Sequence, residues 1–104
     1  MRTRSIDHET VFAAISLYLL IGVLFGTAFT FLAHHDASAF DPPQSAIANQ
    51  TSSLYYFSFV TLTTVGYGDV VPATGAARTL VVLEALTGQI VLVALVARLV
   101  SSTL

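Results

Sequence analysis

Thr61-Leu62-Thr63-Thr64-Val65-Gly66-Tyr67-Gly68-Asp69 is the stretch whose reading decides the fold. Gly66 and Gly68 stand at alternate positions in it, and glycine enters the left-handed region of φ/ψ without the penalty that a Cβ imposes. Left-handed residues at alternate positions turn successive carbonyls to the same side. An ordinary strand points them alternately to its two edges. This segment therefore predicts a row of oxygens on one side, with Val65 and Tyr67 projecting from the other. Such a row is a ligand for a cation stripped of its water.

Working outward, the composition places this segment in a membrane. Hydrophobic residues make up 55% of the 104 and charged ones 10%, against about 25% charged in an ordinary soluble domain. Four Lys+Arg and six Asp+Glu give a formal charge of -2 with no basic patch, which leaves nucleic-acid binding without support. The absence of cysteine excludes disulfides and thiolate sites. There are no internal repeats and no low-complexity segments.

Upstream of the decisive stretch, residues 1–10 read as a polar tail with Arg2, Arg4, Asp7 and Glu9. Residues 11–33 then carry no charge, and about 20 apolar residues suffice to cross the hydrocarbon as a helix. The run is too long for the core of a cleaved signal peptide, which is about 7–15 residues. Gly22 and Gly26 within it have the spacing that lets helix backbones approach closely, though glycine is common in membrane helices for other reasons as well. Residues 34–50 read as a loop, opening with His34, His35 and Asp36 and containing Asp41-Pro42-Pro43. The histidines read as interfacial polar residues, with pH sensing as the alternative. Asn49-Gln50-Thr51 matches a glycosylation acceptor pattern that chance readily produces.

Residues 51–63 predict a short helix, with Thr51, Ser52 and Ser53 as candidate caps before an apolar, aromatic-rich run. Ten residues of helix rise only about 15 Å, too little to span. The chain must enter the membrane, stop, and return through residues 64–68. Non-helical backbone at that depth is tolerated only inside protein or beside water, so this segment has to be enclosed. One chain with two spans cannot enclose it; symmetric assembly of several can. Downstream, Thr74 is a candidate cap and residues 75–103 form the second apolar helix, interrupted by Arg78, Glu84, Gln89 and Arg98. The two arginines can snorkel to the interfaces. Arg2, Arg4 and Arg98 fall on one side and Arg78 on the other, so the positive-inside rule predicts cytoplasmic termini and a re-entrant loop that opens outward.

The stretch Thr61 to Asp69, in its setting of span, short helix and span, resembles potassium-channel pore domains of the two-transmembrane-helix bacterial type. The resemblance implies an all-α membrane protein with two transmembrane helices, a re-entrant pore helix and a selectivity filter. It further implies a homotetramer, in which each chain joins three identical chains in the bilayer of the cell membrane. Residues 11–104 would form the pore domain, with outer helix 11–33, extracellular loop 34–50, pore helix 51–63, filter 64–68 and inner helix 75–103. Potassium ions would bind in the segment Thr64, Val65, Gly66, Tyr67 and Gly68, through backbone carbonyls and the Thr64 hydroxyl. The pore-helix C-termini, each carrying about half a negative charge, would converge below the filter and favour a cation there.

Two residues depart from that pattern. Related bacterial pores carry paired tryptophans on the pore helix where this chain has Tyr56 and Phe57, and an acid where it has Val60. Tyr56 retains a hydroxyl that can reach Asp69, whereas Phe57 has no donor. Glu84, an acid inside a membrane helix, is a functional candidate for that reason alone. It lies five residues before Gln89, about 140° around the helix and about 7.5 Å nearer the outside. That direction points behind the filter, toward pore-helix hydroxyls such as Ser58 or Thr61; the alternative is an interfacial acid pairing with Arg78. Gln89 is expected to face a water-filled cavity, with Leu92, Val93, Val96 and Val100 following at helical spacing as pore lining. Gly88 is either a gating hinge or a site of close packing against the short helix.

The reading that follows is a potassium-selective channel pore. A weakly selective cation channel is disfavoured by Tyr67, and a transporter built from degraded pore units by a single intact copy. A helix-packing adaptor would not need residues 64–68. No nucleophile and base set supports an enzyme.

Overall fold

The computed structural model describes residues 8–43 and 53–103. Arg2 and Arg4, the acceptor pattern at Asn49 and the candidate caps Thr51 and Ser52 lie outside the described residues. Helix α1 spans His8–His35, strand β1 Phe40–Asp41, helix α2 Ser53–Leu62, strand β2 Val71–Pro72 and helix α3 Gly75–Thr103.

Helix α1 starts at His8 rather than Val11 and ends at His35 rather than Ala33. Its ends suit the macrodipole, with Glu9 in the first turn and His34 and His35 in the last. Three residues assigned to a tail, and the histidine pair assigned to a loop, therefore continue the helix. Beyond it, Asp36 Oδ1 accepts from the Ser38 amide at 3.0 Å and the Ser38 hydroxyl at 2.6 Å. These bonds, the hydroxyl first, hold the Asp36 carboxyl below its usual range.

Helices α1 and α3 are long and apolar enough to cross a membrane, with mean hydropathy of 2.2 and 2.3 over their most apolar windows. Only 11% of each window is buried within the chain, so most of their apolar surface is left for lipid or for other chains. Helix α3 begins where Thr74 caps it, its hydroxyl accepting from the Ala77 amide at 3.3 Å.

The ten-residue helix α2 lies against both long helices, and its length rules out a crossing. Its N-terminal part is rooted in an apolar core of Phe29, Ala33, Ala39, Phe40, Leu54, Phe57, Val70 and Ala77. Phe57 packs edge-on against Phe29 and Phe40, with both centroid separations at 5.4 Å. Phe57, a position with no hydrogen-bond donor, is thus an apolar anchor of the short helix.

Two residues of the stretch read as a loop before the re-entrant segment pair with two that follow it. Phe40 lies opposite Pro72 and Asp41 opposite Val71 in an antiparallel ribbon, and the Ala73 amide donates to the Ala39 carbonyl at 2.7 Å. The ribbon ties the segment after α1 to the segment before α3. Both ends of the re-entrant excursion are thereby fixed at the same level.

Candidate functional site

Thr64, Gly66 and Gly68 have φ of 64°, 60° and 82°. Every second residue of the segment is left-handed, which is the alternation that turns successive carbonyls to one side. The two glycines were legible as positions of this kind, but Thr64 was not. Its conformation comes from the end of α2: the Val65 amide donates to the Val60 carbonyl at 3.0 Å and the Thr64 amide to the Thr61 carbonyl at 3.0 Å. Those two bonds form a Schellman motif in which Thr64 holds the left-handed position that glycine usually fills. The cap of the short helix and the first residue of the candidate filter are one feature.

The last carbonyls of α2 all accept hydrogen bonds. Phe59 O takes the Thr63 amide at 3.0 Å and the Thr63 hydroxyl at 2.6 Å. Val60 O takes Gly66 N at 3.3 Å as well as Val65 N, and Leu62 O takes the phenol of Tyr18 at 2.9 Å. Tyr18, on α1, is a contact that the sequence did not single out. Residues 64–69 are exposed within the single chain, so the row of carbonyls is left open to what surrounds it.

Beside the alternating segment, Tyr56 donates its phenolic hydrogen to Asp69 Oδ2 at 2.8 Å. Its ring is parallel to that of Tyr67, the centroids 6.4 Å apart. Asp69 Oδ1 accepts from the Val70 amide at 3.1 Å. The hydrogen bond to Asp69, followed by partial desolvation and the carboxylate's charge, pushes the Tyr56 phenol above its ordinary value.

Glu84 is fully buried, and so is Ser58 of α2. The Ser58 hydroxyl lies 2.5 Å from Glu84 Oε2 and 2.7 Å from the carbonyl of Gly22 on α1. Glu84 thus turns toward Ser58, not toward Arg78, and the three helices meet at one hydroxyl. Close approach there depends on glycine. A Cβ at Gly22 would fall 2.7 Å from Phe59 Cζ, and one at Gly26 would fall 2.5 Å from Tyr55 Cδ1. The Tyr55 hydroxyl also meets the Thr27 hydroxyl at 2.9 Å. On α3, a Cβ at Gly88 would fall 2.6 Å from Leu62 Cδ1, so Gly88 packs on the end of the short helix. Gln89, Leu92, Val93, Val96 and Val100 are exposed in the single chain; Gln89, Val93, Val96 and Val100 lie on a different face of α3 from Glu84 and Gly88, with Leu92, one turn beyond Gly88, between the two.

A family model described as an ion channel matches residues 17–103, which takes in most of α1, the short helix, the alternating segment and α3. The chain belongs to that ion channel family. Its two long apolar helices make this ion channel chain a multi-pass membrane protein. It is similar to Two-pore potassium channel 4 of Arabidopsis thaliana, 46% identical over 50 residues. That match covers 48% of this chain and 18% of the plant protein, so the ion channel chain corresponds to a small part of its relative. No solved structure matches it.

Proposed function

We propose that the chain is one subunit of a potassium-selective pore, with four identical chains around an axis and the segments Thr64–Gly68 facing each other across it. The observation that carries this reading is the alternation of left-handed φ at Thr64, Gly66 and Gly68. Similarity to a protein named as a potassium channel supports potassium as the ion. Four segments complete rings of oxygens from the Thr64, Val65, Gly66 and Tyr67 carbonyls and the Thr64 hydroxyl, which replace the hydration shell of the ion. Adjacent sites of similar affinity let one ion displace the next.

Exposure of the filter segment and of the apolar surface of α3 within a single chain supports assembly, because lipid cannot satisfy the polar backbone. Below the filter, Gln89, Leu92, Val93, Val96 and Val100 line the water-filled path, and Gly88 is the point about which α3 bends. Tyr56 and Asp69 support the filter from outside. Both termini lie in the cytoplasm, following the arginine distribution.

The test is flux through purified protein in liposomes. Potassium is expected to permeate far faster than sodium, and barium to block. Proteoliposomes that pass sodium as readily as potassium would overturn potassium selectivity, and a monomer in native mass spectra would overturn the tetramer.

A further inference from the structure

A hydroxyl has one proton to donate, yet Ser58 Oγ lies within hydrogen-bond distance of two oxygens. One of them, the Gly22 carbonyl at 2.7 Å, has no proton to offer under any condition. Two oxygens at that separation need a proton between them, and only Ser58 can supply it. The proton on the other side, between Ser58 and Glu84 Oε2, must then come from Glu84. We infer that Glu84 sits in the membrane as the carboxylic acid, donating to Ser58, which donates in turn to Gly22, so that one directed chain of hydrogen bonds fastens α3 to α2 and α2 to α1.

The rest of the pocket agrees with this direction. Glu84 Oε1 is buried and has no hydrogen-bond partner among the described residues. In a carboxylate that oxygen would carry charge with no donor to meet it, a state far costlier than an unpaired neutral carbonyl. The ionisable groups of the surrounding elements are engaged elsewhere or distant. The Tyr18 phenol of α1 is bonded to Leu62, and on α2 Tyr55 is bonded to Thr27 and Tyr56 to Asp69. On α3, Arg78 is about 9 Å nearer the outside along the helix axis.

Glu84 is therefore a positioning residue. It acts on the conducting segment through Ser58, which stands on the helix whose cap is Thr64. This consequence for conduction rests on the function proposed above; the protonation state and the chain of bonds do not. A Gln at this position keeps a donor for Ser58, whereas a Leu leaves Ser58 without one.

The decisive measurement is infrared spectroscopy of the full chain at neutral pH, with Glu84→Gln as the difference partner. A protonated-carboxyl stretch that Glu84→Gln removes, and that Ser58→Ala shifts to the higher frequency of a weaker hydrogen bond, is the expected result. No such band, or one indifferent to Ser58→Ala, overturns the inference. Thermal melting in the same detergent supplies the second arm. Glu84→Gln is expected to melt within about 2 °C of the parent and Glu84→Leu lower by about 5–10 °C. Glu84→Gln falling as far as Glu84→Leu overturns the chain of bonds. Neither arm requires ion flux, so failure of the proposed function and failure of this inference give different results.

Discussion

Tyr56 reaches across to Asp69, its phenolic oxygen 2.8 Å from Oδ2, and ties the first part of the short helix to the residue that closes the proposed filter segment. The same side chain lies parallel to the Tyr67 ring, so one residue supports the segment by a hydrogen bond and by stacking. Tyr56→Phe keeps the stack and removes the bond. A several-fold faster decay of potassium current under sustained conduction is expected, with the permeability ratio little changed. Planar-bilayer recordings of both proteins check it, and equal decay would mean the bond does not steady the filter.

The same pair makes a statement about pH. The phenol must keep its proton to donate, and the bond to Asp69 raises its pKa above the ordinary tyrosine value. The support is therefore fully present below that ordinary value and is lost only as pH rises through the raised one. Absorbance titration of phenolate should show a component that ionises above the ordinary tyrosine value in the parent, and its loss in Tyr56→Phe and in Asp69→Asn. A late component that survives in Asp69→Asn would assign the raised group elsewhere.

Thr64 and Gly66 are both left-handed but for different reasons, and substitution separates them. Thr64 is the helix cap, and an L-residue there costs about 1–2 kcal/mol relative to glycine. Thr64→Gly should therefore leave the fold as stable or more so, while the loss of the hydroxyl ring weakens barium block. Gly66→Ala imposes the same order of strain in every chain with no hydroxyl at issue, so conduction should be lost, and D-alanine at position 66 should restore it. Semisynthetic channels carrying each enantiomer make the comparison; equal loss with both would remove the φ argument.

Three helical glycines should respond differently to a methyl group. At Gly22 and Gly26 the obstacle is an aromatic ring wedged between α1 and α2, and overpacking of this kind costs about 1–3 kcal/mol. At Gly88 the nearest atom is the tip of the flexible Leu62 side chain, which can move aside. Lower melting temperatures are expected for Gly22→Ala and Gly26→Ala, and a nearly unchanged one for Gly88→Ala. If Gly88→Ala also leaves open probability unchanged, Gly88 is not the hinge.

How much of this was legible follows from what sets each feature. Two long apolar runs announce spanning helices because the hydrocarbon demands them, and alternate glycines announce left-handed backbone. Helical geometry, reckoned from Gln89, offered Glu84 the direction of Ser58 and left Arg78 open as the alternative; the structure turns it to Ser58. Thr64 was not legible because its conformation is imposed by the amides that close the end of α2, and nothing in a threonine advertises a Schellman cap. The ribbon of Phe40 and Asp41 with Val71 and Pro72 escaped because two-residue strands have no periodicity to read. Phe57 was seen as a missing donor, and only tertiary packing reveals it as the centre of an aromatic core with Phe29 and Phe40. The ends of α1 were misplaced because charge was used to stop the helix, whereas Glu9 and the histidine pair sit where the helix dipole accommodates them.

The face of α3 that meets the ion path is the last question with a sharp test. Glu84 and Gly88 are buried against the short helix, which fixes one direction of α3. At about 100° per residue, Gln89, Val93, Val96 and Val100 cluster roughly 130° to one side of that direction, with Leu92 between, whereas Ile90 and Ala94 lie to the other side. Both flanks are exposed in a single chain, and in the proposed tetramer one turns to the axis while the other meets a neighbour or lipid. Gln89 decides between them, since an uncharged amide is costly against lipid and at home beside water. Cysteines at positions 89, 92 and 96 should accordingly react with a charged thiol reagent applied from the cytoplasmic side of open channels, and the reaction should slow when a pore blocker is present. Cysteines at 90 and 94 should stay unmodified. Should 90 and 94 react and the others not, α3 is rotated to its opposite flank and Gln89 belongs to a subunit contact.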